Sequence, residues 1–238
     1  INKILFILGF FMKDECLTCP NVQNKAVPEP SVRRLPIYHH YLQKIKEQGI
    51  EFISGTQIAQ DLDFIPVQVR KDLEITGFEG KPRIGYEISA LLCAIEKFLG
   101  WNEISPSVLV GVGHLGSAIL GYQGFKEYGL NVSAAFDSDI SKIGKLISAT
   151  PVFSIDSLEK YIQEHKIEIG IITVPAQNAQ NTADVMVKSG IKAIWNFAPE
   201  KITSSDSNVV IQHENLASSF AVLSKKIKEK KAKLEIEN

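Results

Sequence analysis

The segment VLVGVGHLGSAIL, residues 108–120, places Gly111, Gly113 and Gly116 in the spacing G-x-G-x-x-G. Glycines at this spacing are common by chance, so the flanking sequence decides what they mean. Apolar residues precede the glycines and favour a buried strand, whereas small and apolar residues follow them and favour a helix packed close to that strand. A strand, a tight glycine turn and a helix N-terminus together bind a pyrophosphate, so the segment predicts a dinucleotide-binding fold.

An acidic residue stands where such a fold requires one. An apolar stretch at 131–136 predicts the next strand, and Asp137 follows it directly. A carboxylate in this place accepts hydrogen bonds from the adenosine ribose hydroxyls and repels a 2′-phosphate. The expected cofactor is therefore NAD(H) and not NADP(H). The alternative is a structural glycine turn followed by a solvated aspartate.

The N-terminal residues 1–27 are expected to form an extension outside the folded domains. Their apolar run, Ile4–Phe11, contains a glycine and is too short to span a bilayer, so we expect no membrane association. Met12 is the expected native start. Cys16 and Cys19 form a single C-x-x-C without a second pair, which favours reduced thiols in a cytoplasmic protein and no metal site.

Residues 28–100 are expected to form a helical domain. Apolar residues at helical spacing predict one long helix at 31–48 and two shorter helices within 52–77. A glycine-bounded hairpin at 78–87 and another helix at 90–99 complete this part. Two short helices joined by a tight turn are typical of a helix-turn-helix, in which the hairpin would be the wing of a winged-helix domain.

Residues 101–213 alternate between apolar strands and helices. This alternation predicts an α/β fold with a Rossmann-like, doubly wound parallel sheet. Residues 214–238 are expected to form a final amphipathic helix at 215–233 and a tail. The strands are expected at 107–112, 131–136, 151–153, 168–174, 191–195 and 208–211.

The function of the helical domain stays open on this evidence. Gln68, Arg70 and Lys71 on its predicted recognition helix suit contacts with bases and phosphates. Basic and acidic residues are nevertheless balanced in this domain, and the whole chain has a formal net charge of −1. Tyr122 and Lys126 match the Tyr-x-x-x-Lys pair of some dehydrogenases, but no substrate domain remains after the sheet. A sensor is therefore favoured over an enzyme.

Six short segments in one order add a resemblance. They are RLPIYHHYL at 34–42, QVRKDL at 68–73, GVGHLG at 111–116, FDSDISKIG at 136–144, TVP at 173–175 and NFAP at 196–199. From about Val27 to the final helix, the chain resembles the Rex family of redox-sensing transcriptional repressors. The resemblance implies a homodimer whose winged helices bind a palindromic operator and whose Rossmann-like domains bind NAD(H). It also implies that the C-terminal helices are exchanged between subunits, that NADH favours DNA release and that NAD⁺ permits DNA binding.

The resemblance also implies roles for individual residues. The expected cofactor-binding residues are Gly111, Val112, Gly113, His114, Leu115, Gly116, Asp137, Thr173, Val174, Pro175, Asn196 and Phe197, of which Asn196 and Phe197 would approach the nicotinamide. The expected DNA-binding residues are Gln68, Arg70, Lys71, Lys81 and Arg83. The expected switch and dimer residues are His40, Tyr122, Asn215, Leu216 and Phe220.

The chain departs from the family pattern in the wing and in the switch. Relatives have Thr-Arg-Gly in the wing where this chain has Lys-Pro-Arg at 81–83, and Glu74 replaces a serine after the recognition helix. His40 and Asn215 replace an arginine and an aspartate that form a redox-dependent contact set in some relatives, whereas Tyr122 is kept. The leading expectation is an NADH-responsive repressor. The alternatives are a Rex-like NAD(H)-binding dimer with altered or lost operator recognition and a small NAD-dependent oxidoreductase.

Overall fold

The structure, a computed structural model, describes residues 27–236 of the 238-residue chain. These residues divide between Glu103 and Ile104 into two units. The predictions that lie outside the described residues are those for Ile4–Phe11, Met12, Cys16 and Cys19.

The first unit is mainly helical. Its described residues form, in chain order, α1 (Glu29–Glu47), β1 (Phe52–Ile53), α2 (Gly55–Asp61), α3 (Pro66–Glu74), β2 (Tyr86–Glu87) and α4 (Ile88–Leu99). Ser54 caps α2 by accepting a hydrogen bond from the Gln57 N–H, and Pro66 suits the first turn of α3 because its missing N–H is not needed there. Apolar side chains of all four helices share one core. Helices α2 and α3, joined by a short turn, form a helix-turn-helix.

The predicted hairpin at 78–87 has a different pairing from the one expected. Its second strand, β2, pairs antiparallel with β1, so that Tyr86 lies opposite Ile53. The tip is a turn in which the backbones of Lys81 and Gly85 exchange hydrogen bonds of 2.8 and 2.9 Å. Gly85 has a φ of +94°, and a Cβ there would lie 2.3 Å from the Ile53 carbonyl oxygen. The segment therefore projects as a wing from a two-stranded sheet that includes β1.

The second unit is an α/β domain. Its described residues form β3 (Ser105–Val110), α5 (His114–Gly121), α6 (Gly124–Glu127), β4 (Leu130–Asp137), β5 (Leu146–Ile147), β6 (Thr150–Ser154), α7 (Leu158–His165), β7 (Ile169–Ile172), α8 (Ala176–Ser189), β8 (Ala193–Asn196), β9 (Val210–His213) and α9 (Leu216–Ile236). Within these residues the strands form a seven-stranded sheet of order β5-β6-β4-β3-β7-β8-β9. All neighbours are parallel except β5 and β6. This confirms the predicted Rossmann-like parallel sheet.

The sheet order defines where a ligand is expected. From β3 the chain continues to β4 on one side, whereas from β7 it continues to β8 on the other side. Doubly wound sheets bind ligands at this reversal, outside the carboxyl ends of the two central strands. Val108 and Leu109 on β3 are fully buried in separate apolar clusters, as expected for a central strand covered on both faces.

Some details of the sheet differ from the sequence prediction. Strands β8 and β9 each begin two residues later than expected, and β5 was missed. The turn between β5 and β6 is made by Ser148 and Ala149, both of which have positive φ, so no glycine marks it in the sequence. Within residues 27–236, no helix is both long enough and apolar enough to cross a membrane.

Candidate functional site

The three glycines after β3 have three different surroundings. Gly111 has a φ of +99°, and a Cβ there would lie 2.8 Å from the backbone carbon of Thr173. A Cβ on Gly116 would lie 2.1 Å from the Gly111 carbonyl oxygen. At Gly113, in contrast, no atom of the described residues beyond its chain neighbours lies within 4 Å of the Cβ position. The first glycine permits the turn, the third lets α5 approach the turn, and the second faces open space.

The open space at Gly113 adjoins the N-terminus of α5. Gly113 is the N-cap of this helix, and Gly113, His114 and Leu115 are exposed, whereas Val112 and Gly116 are buried. The first N–H groups of a helix have no partner within the helix, and the helix dipole favours an anion there. The turn therefore fits the pyrophosphate of a dinucleotide, which needs close approach to bare backbone.

Asp137 at the end of β4 is connected to the glycine turn. Its carboxylate accepts hydrogen bonds from the Val112 N–H at 2.7 Å, from the Asp139 N–H at 2.9 Å and from the Lys142 ammonium at 3.1 Å. Burial favours the neutral acid, but the hydrogen bonds from Asp139, Lys142 and Val112 outweigh it and lower the pKa of Asp137. Asp137 is therefore ionised at neutral pH and lies beside the crevice, where its carboxylate can accept hydrogen bonds from ribose hydroxyls.

Thr173 and its neighbours form the opposite side of the turn. The Thr173 hydroxyl donates to the carbonyl oxygens of Gly111 at 2.6 Å and Val110 at 3.1 Å, which fixes the end of β7 against the glycine turn. Val174 packs against the apolar core and Pro175 is the exposed N-cap of α8. Thr173 is therefore a positioning residue, and Pro175 is the member of this group most open to a ligand.

Asn196 is enclosed by polar partners in the structure. It is 0% exposed, and its amide donates to the Glu200 carbonyl oxygen at 2.8 Å and contacts His213 Nδ1 at 3.1 Å. Its oxygen accepts from the Ala198 N–H at 3.0 Å. With these partners the Asn196 side chain shapes the turn that carries Phe197, and its expected approach to the nicotinamide stays a prediction. His213, which holds the amide from β9, was missed by the sequence analysis.

A row of aromatic side chains was also missed. Phe197 packs on Trp195 with ring centroids 4.7 Å apart, Trp195 packs on Phe125 at 5.5 Å, and Phe125 packs on Tyr122 at 4.8 Å. These residues come from separate elements, so their spacing in sequence gave no signal. The row connects Tyr122 to Phe197. A Cβ on Gly124 would lie 2.7 Å from the Tyr122 ring, so the absence of a side chain at Gly124 leaves room for this ring.

The predicted DNA-contacting residues lie on α3 and the wing. Arg70 and Lys71 are exposed on α3, Gln68 is half-buried beside them, and Lys81 and Arg83 are exposed on the wing. Arg83 has a φ of +66°, an uncommon value for a residue with a side chain. Exposed cations on a recognition helix and a wing tip are suited to phosphates and to groove edges.

Helix α3 is fixed to α1 by a buried ion pair. Arg34 of α1 donates from Nε and Nη2 to the two oxygens of Asp72, at 2.6 and 2.8 Å, and the Tyr38 hydroxyl donates to the same carboxylate at 2.8 Å. Burial opposes ionisation of Asp72, but the hydrogen bonds from Arg34, Ser31 and Tyr38 lower its pKa below the ordinary value. The recognition helix is thus held by a charged network at a fixed angle to α1.

The expected switch residues lie on separate elements. His40 is exposed on α1, and Tyr122 is exposed after α5. The Asn215 side chain accepts hydrogen bonds from the Ala217 and Ser218 N–H groups, so it caps α9. Phe220 on α9 is 69% exposed, and the Leu216 side chain lies outside the described residues. Within residues 27–236, no group of three or more His, Cys, Asp or Glu side chains is arranged to hold a metal ion.

The chain is similar to known proteins over most of its length. Residues 26–74 match the family described as putative DNA-binding protein N-terminus, and residues 102–200 match the CoA binding domain family. The redox-sensing transcriptional repressor Rex of Treponema denticola is 53% identical over 201 residues, which are 84% of this chain and 95% of that protein. The chain belongs to the Rex family. The Rex protein of Bacteroides thetaiotaomicron is 40% identical over 83% of this chain and 89% of its own length.

Solved Rex structures are also similar. The Rex-family repressor RSP in complex with β-NAD⁺ and operator DNA has a TM-score of 0.81 at 31% identity, covering 90% of this chain and 98% of RSP. RSP in complex with β-NADH has a TM-score of 0.80 at 31% identity, covering 89% of this chain and 99% of RSP. Membership of the Rex family assigns the chain to the transcriptional repressors and not to the enzymes that share its nucleotide-binding fold.

Proposed function

We propose that this Rex protein binds operator DNA through α3 and the wing, and that it releases the DNA when NADH is bound at the glycine turn. The observation that carries the proposal is the open space at Gly113, which lies at the reversal point of the doubly wound sheet. The same chain contains a winged helix-turn-helix. A nucleotide site and a DNA-reading element in one chain suit a sensor.

The cofactor would be NAD(H). Gly111, Gly113 and Gly116 would admit the pyrophosphate, and the ionised Asp137 would accept the ribose hydroxyls and disfavour a 2′-phosphate. Phe197, whose ring packs on Trp195, would lie nearest the nicotinamide. Asn196 would stabilise the turn that carries Phe197, through its hydrogen bond with the Ala198 N–H. The dinucleotide would supply the redox signal, since the nicotinamide carries a positive charge only in its oxidised form.

The active form would be a homodimer with exchanged C-terminal helices. Phe220, Leu223 and Ile227 recur at helical spacing on α9 and all three are about half or more exposed. Exposing such a row to water has a free-energy cost, because burial of each large aliphatic or aromatic side chain is favourable by about 1.5–3 kcal/mol. A second copy of this chain is the occupant proposed for this stripe, which would lie near the nicotinamide of the partner.

The response to NADH would be a shift between two dimer conformations. A ligand moves such an equilibrium only by its difference in affinity for the two states, so NADH must bind the DNA-releasing state more tightly than it binds the DNA-bound state. A repressor of this kind acts where both chromosomal DNA and the NADH pool are found, which is the bacterial cytoplasm. Loss of the usual operator is the second candidate, favoured by the exposed Glu74 at the end of α3 and by the altered wing.

The test is selection of bound duplexes from a random pool in the presence of NAD⁺ and then of NADH. The proposal expects enrichment of a palindrome with NAD⁺ and its loss with NADH. Enrichment that NADH does not change would contradict the redox response, and a palindrome unlike those of other Rex proteins would support altered recognition. Incubation of the protein with NADH and small carbonyl compounds serves as the control for the enzyme alternative, and no NADH consumption is expected.

A further inference from the structure

Two aliphatic side chains are exposed to solvent at the start of α3, the proposed recognition helix. Ile65, the N-cap of α3, is 66% exposed, and Val67 is 53% exposed. The N-cap position favours serine, threonine, asparagine or aspartate, and an isoleucine forgoes that hydrogen bond. Together with Gln68 and Lys71 they line an open concavity of about 410 Å³ on the surface of the first unit.

The orientation of the neighbouring Gln68 amide is assigned from its hydrogen bonds to Arg34. When its amide is turned so that its bonding groups are satisfied, the Gln68 oxygen accepts from Arg34 Nη1 at 3.1 Å and Nη2 at 3.3 Å. Arg34 is itself held by the two oxygens of Asp72 and by Ser31. Because the Arg34 guanidinium donates to the Gln68 amide oxygen, the Gln68 group that remains to contact a ligand is its NH₂. The concavity therefore presents a hydrogen-bond donor next to an aliphatic surface.

Among the four bases, this pair of features matches one major-groove edge. Thymine presents an acceptor, O4, beside its C5 methyl group. Cytosine offers a donor without a methyl, guanine offers two acceptors without a methyl, and adenine offers an acceptor and a donor. We propose that Val67 and Gln68, with Ile65 at the rim and Arg34 as positioning residue, form a thymine-reading pair in the operator. This inference rests on the proposed DNA-binding function and names the base that the site selects.

Charge around the pair supports duplex DNA over an apolar protein segment as the occupant. Lys71 lines the same concavity, and the Asp72 carboxylate there is paired with Arg34, so the charge left to meet a ligand beside the aliphatic surface is positive. Phosphates run along both sides of a major groove, whereas an apolar protein segment has no such charge. Duplex DNA is therefore the occupant proposed for this surface.

The experiment uses the full-length protein and the palindrome enriched with NAD⁺. Each thymine of one half-site, and its symmetry mate, is replaced by uracil, which keeps O4 and removes only the methyl group. At one position we expect binding to weaken about four-fold per methyl, the effect of losing one buried carbon, with no effect of the same size at the other thymines. Val67→Ala should abolish the difference between thymine and uracil at that position. Ile50→Ala, which removes an exposed aliphatic side chain outside α3 and the wing, should keep it.

A second variant tests the donor half of the pair. Arg34→Lys releases the Gln68 oxygen, so the amide can turn, and a repeated selection should lose the thymine preference at that one position while the rest of the palindrome is kept. A purely structural role of Arg34 would weaken all positions together. The inference is overturned if an operator is enriched but no uracil position matters, or if Val67→Ala leaves the thymine-to-uracil ratio unchanged. A pool that enriches no sequence overturns both this inference and the proposed function.

Discussion

The Asp137 carboxylate accepts a hydrogen bond of 2.7 Å from the Val112 backbone N–H, so the end of β4 is bonded directly to the glycine turn after β3. The residue expected to select the cofactor therefore also stabilises the turn that would hold the pyrophosphate. Lys142 donates to the same oxygen at 3.1 Å and places a positive charge beside it. Substitution of Asp137 and of Lys142 can therefore test separately how the carboxylate and the cation contribute to selection between NADH and NADPH.

Asp137→Ala is expected to weaken NADH binding and to reduce discrimination against NADPH. Loss of a hydrogen bond to a charged group corresponds to about 1.5–3 kcal/mol, or roughly one to two orders of magnitude in NADH affinity. Titration calorimetry with both nucleotides measures the effect. Lys142→Gln is the control: it keeps the carboxylate and removes the cation, so NADPH should be rejected more strongly. Equal affinity of the unaltered protein for NADH and NADPH would show that Asp137 does not select.

Gly113→Ala and Gly116→Ala should have opposite consequences. Gly113 has an ordinary φ of −82° and open space at its Cβ, so Gly113→Ala should keep the melting temperature and lose most NADH affinity. Gly116→Ala would press against the Gly111 carbonyl, and an overpacked site of this kind costs about 1–3 kcal/mol of unfolding free energy. Thermal unfolding and NADH titration on both variants decide. Normal NADH affinity in Gly113→Ala would mean that the pyrophosphate lies elsewhere.

Local patterns predicted much of this nucleotide-binding half. The glycine turn, the strand before it and Asp137 lie close together in sequence, and their chemistry depends on near neighbours only. The hydrogen bonds of Asn196 were not predicted, because they depend on His213 and on the turn at Glu200, which the fold brings to it. The early start predicted for β8 has a related cause: Ile191 is buried beneath α8 without belonging to the sheet, and an apolar residue alone does not distinguish the two.

The helical half shows the same limit. The helix-turn-helix followed from helical spacing and from Pro66, whereas the pairing of β2 with β1 joins residues more than thirty positions apart. The Arg34–Asp72 pair is equally remote in sequence. The sequence analysis assigned no role to either residue, and only the fold shows that α1 and α3 are connected through them.

The Arg34–Asp72 pair is expected to contribute to stability in a pH-dependent manner. The pKa of Asp72 is lower in the folded protein than in the unfolded chain, so the unfolded chain takes up the proton first as the pH falls. The free energy of unfolding should therefore decrease below the ordinary carboxyl pKa of about 3.9, towards the lower folded pKa. Asp72→Asn should show a smaller decrease in this range than the unaltered protein.

Arg34→Ala provides the matching test at neutral pH. It leaves the buried Asp72 without its cation, which typically costs about 3–5 kcal/mol. Chemical denaturation of the two variants and the unaltered protein, repeated across the acidic range, measures both effects. Arg33→Ala is a suitable control, since the Arg33–Glu29 pair is exposed and should contribute little. Equal losses for Arg33→Ala and Arg34→Ala would contradict the assignment.

Arg83→Gly should separate the strain of the wing from its charge. Arg83 has a φ of +66°, which disfavours a residue with a Cβ by about 1–2 kcal/mol, so glycine should leave the unfolding free energy unchanged or slightly higher. Operator binding should nevertheless weaken, and the slope of log affinity against log salt should fall by about 1 if the contact is to a phosphate. Arg83→Lys keeps the charge and should retain the slope. Normal operator binding by Arg83→Gly in a mobility-shift assay would exclude Arg83 from the wing contact.

The last prediction concerns how NADH binding is transmitted to the DNA-binding unit. Relatives with an arginine and an aspartate at the positions of His40 and Asn215 have a charge pair that this chain lacks. The Asn215 oxygen is already used to cap α9, through the Ala217 and Ser218 N–H groups. Because Asn215 is uncharged, the charge pair of those relatives has no counterpart at these two positions. The exposed apolar stripe of α9, with Phe220 at 69% exposure, is the remaining candidate.

We therefore expect packing of the exchanged helix to carry the switch. Phe220→Ala should reduce NADH-induced release of DNA by more than it weakens DNA binding with NAD⁺, because the stripe joins the subunits in both states and the packing hypothesis requires closer contact in the NADH-bound dimer. His40→Ala should change the release by less than about five-fold, which corresponds to one hydrogen bond of about 1 kcal/mol. A mobility-shift titration over NADH at fixed NAD⁺ measures both, and Leu216→Ala extends the test to the neighbouring apolar position. If His40→Ala abolishes the response and Phe220→Ala preserves it, the switch is polar and the packing hypothesis is wrong.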